Sequence, residues 1–140
     1  MDQTFHLAVG QPPAGLSSTV ERLNWLRETL PGVAAEGSDL LLLPELFATG
    51  YNIADQLVHK AEPATGSIAQ AVAKMAKDND VAIHYGFPEA DGDKIFNAAQ
   101  CFGPDGQRLG GHRKLLIPPG FERENFTHGQ GCTLFNFRNI

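Results

Sequence analysis

The sequence predicts an α/β fold whose first strands run parallel. A strand, an amphipathic helix and a second strand follow one another before Pro44. The second of these strands is a short, wholly apolar run, the pattern of a strand buried on both faces of a parallel sheet.

Each element reads in order. Thr4 to Gln11 (TFHLAVGQ) sets Phe5, Leu7 and Val9 on one face and His6 and Ala8 on the other, and Pro12-Pro13 ends the run. Ser18 and Glu21 have the spacing of a capping box, with Val20, Leu23, Leu26 and Leu30 at near-helical intervals behind them. The expectation is a helix from about Ser18 to Leu30, kinked or ended by Pro31-Gly32. Gly37-Ser38 separates it from the apolar strand Asp39 to Leu43, and a polar, glycine-containing loop, Phe47 to Asn52, comes next. Ser67 opens a second helix, with Gln70 at the capping-box position and Ile68, Ala71, Val72, Met75 and Ala76 as its apolar face.

The later chain reads as strands. Val81 to Phe87 and Ile95 to Phe102 are the third and fourth, and Gly103-Pro104-Asp105-Gly106 is a turn signal that returns the chain along Gln107 to Lys114. A loop with Pro118-Pro119-Gly120 leads to a last short alternating strand, Thr133 to Phe137. That makes two helices against about six strands, with both helices in the first 80 residues. A layered domain covers its sheet as well as its helices, so the expectation is a single domain over 1–140 that is cut short.

Composition narrows the function classes. The 140 residues are 42% hydrophobic and 19% charged, a globular balance. Sixteen acidic against 11 basic residues leave a net charge of -5, which argues against nucleic acid or an anionic membrane as partner. No apolar run approaches a bilayer span, and the opening residues lack a signal-peptide pattern, so the expected location is cytoplasmic. Two cysteines cannot build a disulfide framework, and with five scattered histidines they show no zinc-ligand spacing.

Three places could carry chemistry. Glu45 follows the carboxyl end of the apolar strand, where ligands gather in α/β sheets, although a solvated loop carboxylate has the same position. Lys114 closes the hairpin strand behind His112 and Arg113, and on spacing alone a solvated strand end is the simpler reading. Glu122 sits with Arg123 and Glu124 in a Pro/Gly-rich stretch that fits surface ion pairs equally well. Cys101 lies in an apolar strand as a small core residue would, and Cys132 sits in a turn with no predicted base beside it.

In order, these pieces resemble the carbon-nitrogen hydrolases, the nitrilase and amidase superfamily. Asp39 to Asn52 (DLLLLPELFATGYN) is similar to the family's general-base motif, and His112 to Pro118 (HRKLLIP) to its lysine motif. Phe121 to Gly129 (FERENFTHG) resembles the following loop with its second glutamate, and Asn97 and the Gly10-Gln11-Pro12 strand end also have counterparts. The match runs through the chain as about the first half of a family domain. It implies an α-β-β-α sandwich of the nitrilase type, truncated to roughly its first half, and a Glu-Lys-Cys triad acting on a small, aliphatic-type amide. Glu45 would be the general base, Lys114 the oxyanion-stabilising cation and Glu122 an accessory carboxylate, with no metal or organic cofactor.

The resemblance also implies that the nucleophilic cysteine lies beyond the second-glutamate loop. Neither Cys101 nor Cys132 stands in that motif, so the expectation is a chain inactive alone. His112 replaces the aromatic residue common before Arg-Lys, and Leu116 stands where many members carry histidine. The alternative is a non-catalytic binding or assembly module, or a truncated gene remnant. An open half-sandwich would then form homo-oligomers or aggregate.

Overall fold

A computed structural model of the chain describes residues 4–138. Five strands form one mixed sheet in the order β1-β2-β3-β4-β5. They are β1 (Leu7–Val9), β2 (Leu40–Leu42), β3 (Ala82–Asp91), β4 (Lys94–Phe102) and β5 (Arg108–Arg113). The first three run parallel and the last three antiparallel. Helices α1 (Thr19–Ala35), α2 (Leu57–Lys60), α3 (Ser67–Asn79) and α4 (Phe121–Asn125), with a 3-10 turn at Ala54–Gln56, complete the described elements.

One face of the sheet carries the core. Leu26 and Leu30 of α1 and Val72, Met75 and Ala76 of α3 cluster with Leu41, Leu43, Ile83, Tyr85 and Phe87 from the sheet. Burying each large apolar side chain of this kind contributes roughly 1.5–3 kcal/mol. The strand period of two then turns His84 and Gly86 to the opposite face. That face is uncovered over β1, where Leu7 is 52% and Val9 73% exposed. The apolar alternation of β1 therefore points outward, while Ala8 packs against the core.

Local chemistry departs from the sequence reading in several places. The Ser18–Glu21 capping box forms, but α1 runs on through Pro31 to Ala35. Pro31 is exposed, so the carbonyl that loses its amide partner one turn back can be solvated. The Ser67–Gln70 box does not form. Ser67 is already helical, and the Glu62 carboxylate accepts instead from the Ser67 amide at 2.9 Å, the Ser67 hydroxyl at 2.9 Å and the Ile68 amide.

Two further helices form where no helix was expected: the short α2 and, well beyond residue 80, α4. Thr133 to Phe137 is not a strand. Side chains, not ladder bonds, tie this segment down: Phe135 rests on Gly110 of β5, Phe137 meets Phe5 edge-on at 6.0 Å, and Arg138 pairs with Asp39. No helix among the described residues is long and apolar enough to cross a membrane.

Candidate active site

Glu45 sits on a tight turn just after β2. The turn is fastened to β3 by the Leu43 amide on the His84 carbonyl (2.9 Å) and the Ala48 amide on the Gly86 carbonyl (3.0 Å). Leu46 adopts a left-handed backbone with φ of 50°, unusual for a bulky residue. Burial holds it there: Leu46 is fully enclosed and packs with Leu57, Ile117 and Phe126 in a second small core. Gly86 makes the approach possible, because a Cβ at that position would run into the Leu46 amide nitrogen and the Glu45 backbone.

Lys114 comes in from the other side. Its amide bonds to the Asn97 carbonyl at 2.8 Å, and its carbonyl accepts from the Gly129 amide at 2.8 Å. Arg113 anchors the strand end through Glu89 (2.5 and 3.0 Å) and Asp91 (2.8 Å) and lies 3.9 Å above the Phe96 ring centroid. Helix α4 supplies Glu122, whose side chain is only 2% exposed.

The three residues singled out in the sequence meet. Lys114 Nζ donates to Glu45 Oε1 at 2.7 Å and to Glu122 Oε1 at 2.8 Å. Asn97 Nδ2 donates to Glu45 Oε1 at 2.5 Å and lies 3.5 Å from Glu122 Oε2. The Tyr51 hydroxyl donates to Glu122 Oε1 at 2.5 Å. One cation thus joins two carboxylates, and two neutral donors fix their oxygens.

The electrostatics follow from this geometry. Burial pulls the Lys114 ammonium down, but the hydrogen bonds and charges of Glu122 and Glu45 outweigh it, and its pKa lies above the ordinary lysine value. Burial likewise pushes Glu122 up, yet Lys114 and Tyr51 together bring it below the ordinary carboxylate value. The Tyr51 phenol is raised by its bond to Glu122 and then by burial, so it remains a donor at neutral pH.

A depression of about 270 Å³ opens beside Glu45, Asn97 and Lys114. A larger one, about 440 Å³, lies along β5 near Arg113 and His128, and neither Glu45 nor Lys114 lines it. The two cysteines behave differently. Cys101 is buried and its thiol is pushed up to about 11 by that burial, which makes it a poor nucleophile, whereas Cys132 is exposed. Among the described residues no group of three or more His, Cys, Asp and Glu could hold a metal ion.

Sequence reading missed Tyr51 as a member of this group. It also gave no account of Gly86, whose only local signal was a glycine inside an apolar strand.

Comparison with known proteins agrees with the architecture. The carbon-nitrogen hydrolase family model matches residues 6–138. A hydrolase of Pseudomonas protegens is 35% identical over 130 residues, covering 91% of this chain and 45% of that protein. An (R)-stereoselective amidase of Pseudomonas sp. is 32% identical over 117 residues, 82% of this chain and 42% of its own length. The solved amidase of Nesterenkonia sp. AN1 superposes with a TM-score of 0.82 at 19% identity, covering 91% of this chain and 51% of that one. The chain belongs to the carbon-nitrogen hydrolase family. It spans under half the length of these two Pseudomonas relatives.

Proposed function

We propose that Glu45, Lys114 and Glu122 form the acid–base and charge-stabilising part of a centre that hydrolyses the C–N bond of a small non-peptide amide. The observation that carries this reading is the single Lys114 ammonium held at 2.7 and 2.8 Å by two carboxylates at the edge of an open depression. Glu45, the more exposed carboxylate at 45%, is the general base, and the buried Glu122 is the positioning group.

The chemistry closes without a cofactor. Glu45 takes a cysteine thiol proton, the thiolate attacks the amide carbonyl, and Lys114 stabilises the resulting oxyanion. Collapse breaks the C–N bond, and the amine leaves with the proton that Glu45 returns. Water, deprotonated by Glu45, then attacks the thioester, releasing the acid and restoring the thiol. Cys101 is enclosed and protonated and does not serve as the nucleophile. The family resemblance assigns that role to a position beyond the second-glutamate loop, and Cys132 is not in its motif. The Nesterenkonia amidase, by comparison, carries an active-site cysteine that has added acrylamide.

The 140-residue chain alone should release no ammonia from small aliphatic amides. Activity abolished by Glu45→Ala would overturn the assignment of the nucleophile. Joined to the C-terminal half of the Pseudomonas protegens hydrolase, residues 1–138 should support ammonia release from propionamide. Glu45→Gln and Lys114→Ala should each lower it by about 10²-fold or more while the fusion still melts cooperatively. A folded, active fusion indifferent to both changes would contradict the reading.

A second reading, a non-catalytic assembly module, draws on the exposure of Leu7 (52%) and Val9 (73%) on the uncovered face. Pairing of two copies through this face would make the chain a homodimer, which Leu7→Lys with Val9→Lys should dissociate in sedimentation. A monomer at all concentrations would remove this reading.

A further inference from the structure

Asn97 of β4 reaches two members of the proposed centre at once. Its carbonyl accepts from the Lys114 amide at 2.8 Å, and its side-chain Nδ2 donates to Glu45 Oε1 at 2.5 Å. The backbone bond is open to any residue at this position, because every residue offers a carbonyl. The side-chain bond is not. It needs a short side chain that ends in an N–H donor, and Asn97 is only 4% exposed, so its carboxamide must find partners inside the protein.

Both side-chain donors that reach Glu45 meet the same oxygen. Lys114 Nζ stands 2.7 Å from Oε1 and Asn97 Nδ2 stands 2.5 Å from it. An oxygen that accepts two short hydrogen bonds has its lone pairs engaged, which leaves those of Oε2 for a proton. The charges agree. Glu45 and Glu122 bring two negative charges and Lys114 one positive, and the neutral Asn97 leaves the remaining negative charge in place. A lysine or arginine at position 97 would cancel it and weaken the carboxylate as a base.

We propose that Asn97 is a positioning residue for the hydrolysis: with Lys114 it occupies Glu45 Oε1, and so makes Oε2 the oxygen that accepts first the thiol proton and later the proton of water. The inference rests on the reading of Glu45 as the general base. Asn97 acts through the orientation it imposes on Glu45, not on the substrate. Lys114 alone, a single donor on a flexible stem, would let the two oxygens exchange places.

The test reads the isotope-labelled 140-residue chain by NMR. A coupling across the hydrogen bond, from Asn97 Nδ2 to the Glu45 carboxyl carbon, should be present, and Glu45 should hold one side-chain rotamer. Glu45→Gln should keep the coupling, because its one carbonyl oxygen must take the Oε1 place and its NH2 the Oε2 place. Asn97→Leu should average the Glu45 rotamer while the Lys114 amide stays protected from exchange, since the carbonyl at position 97 still accepts from it. A purely structural role would move both signals together. If Asn97→Leu does not fold, the couplings in wild type and Glu45→Gln still decide. A missing coupling, its loss in Glu45→Gln, or an ordered Glu45 in Asn97→Leu overturns the role of Asn97, and the centre stands if Lys114 Nζ still titrates above 10.5. A Lys114 ammonium that ignores both Glu45→Gln and Glu122→Gln overturns the centre itself, and this inference with it.

Discussion

Lys114 Nζ lies 2.7 Å from Glu45 Oε1, although 69 residues separate them in the chain. The contact joins the turn after β2 to the end of β5 across the uncovered face of the sheet. Because Lys114 also bonds Glu122, the position of each carboxylate depends on the other through one ammonium. The proposed role of Glu45 as a general base needs a lone pair aimed at a proton, and Lys114 and Asn97 fix its Oε1 from two sides.

Gly86 sets how closely the Glu45 turn can sit on the sheet. Gly86→Ala would drive a methyl group into the Leu46 amide nitrogen. It should cost about 1–3 kcal/mol in urea unfolding and shift the Glu45 and Lys114 side-chain resonances. A neutral Ala variant with those signals unchanged would show that the turn has slack.

Glu122→Ala should destabilise the chain by about 1–3 kcal/mol, because it strips the Tyr51 hydroxyl and the Lys114 ammonium of a buried acceptor. The loss stays below that of a fully buried pair, since Lys114 is 31% exposed and retains Glu45. Denaturant midpoints of Glu122→Ala and Tyr51→Phe, alone and together, should be non-additive.

The outline of the fold was legible because periodicity and turn chemistry are local. The helical spacing behind Ser18, the apolar run Leu40–Leu43 and the Gly103–Gly106 turn each specify an element without distant help. Glu45, Lys114 and Glu122 were legible through the order of their motifs, not through any property of the residues singly. What escaped depends on partners far away in sequence. Tyr51 gains its role from Glu122, 71 residues on, and Gly86 from the backbone of Leu46. The expected strand Thr133–Phe137 has the right alternation, but Phe135 packs on Gly110 of the sheet and Phe137 on Phe5 instead of the segment pairing along an edge.

The two thiols should separate cleanly under alkylation. Cys132 is exposed and should react with iodoacetamide in the native chain. Cys101, buried with its thiol pushed up to about 11, should be protected until the chain unfolds. Peptide mapping of the native protein checks this, and prompt labelling of Cys101 at neutral pH would contradict its enclosure.

Stability should depend on pH in two windows. Glu122 has a lowered folded pKa, so its contribution is present above the ordinary value of 4.5 and is lost as pH falls through the folded value. His84 is held neutral by burial, so between its ordinary value of 6.5 and its lower folded value the unfolded chain binds the extra proton and stability declines with falling pH. Thermal melts of His84→Gln should be flatter just below pH 6.5, and those of Glu122→Gln flatter below pH 4.5. Parallel curves for variants and wild type would contradict both assignments.

The most direct test of the shared cation is the Lys114 ammonium itself, observed by 15N NMR of the lysine side chains through a pH titration. Its Nζ should titrate above the ordinary lysine value of 10.5, with slowly exchanging protons near neutral pH. Glu45→Gln and Glu122→Gln should each move it back toward that value. An ammonium that titrates at or below 10.5 and ignores both changes would mean that Lys114 is not held between the two carboxylates, and the proposed centre would fall with it.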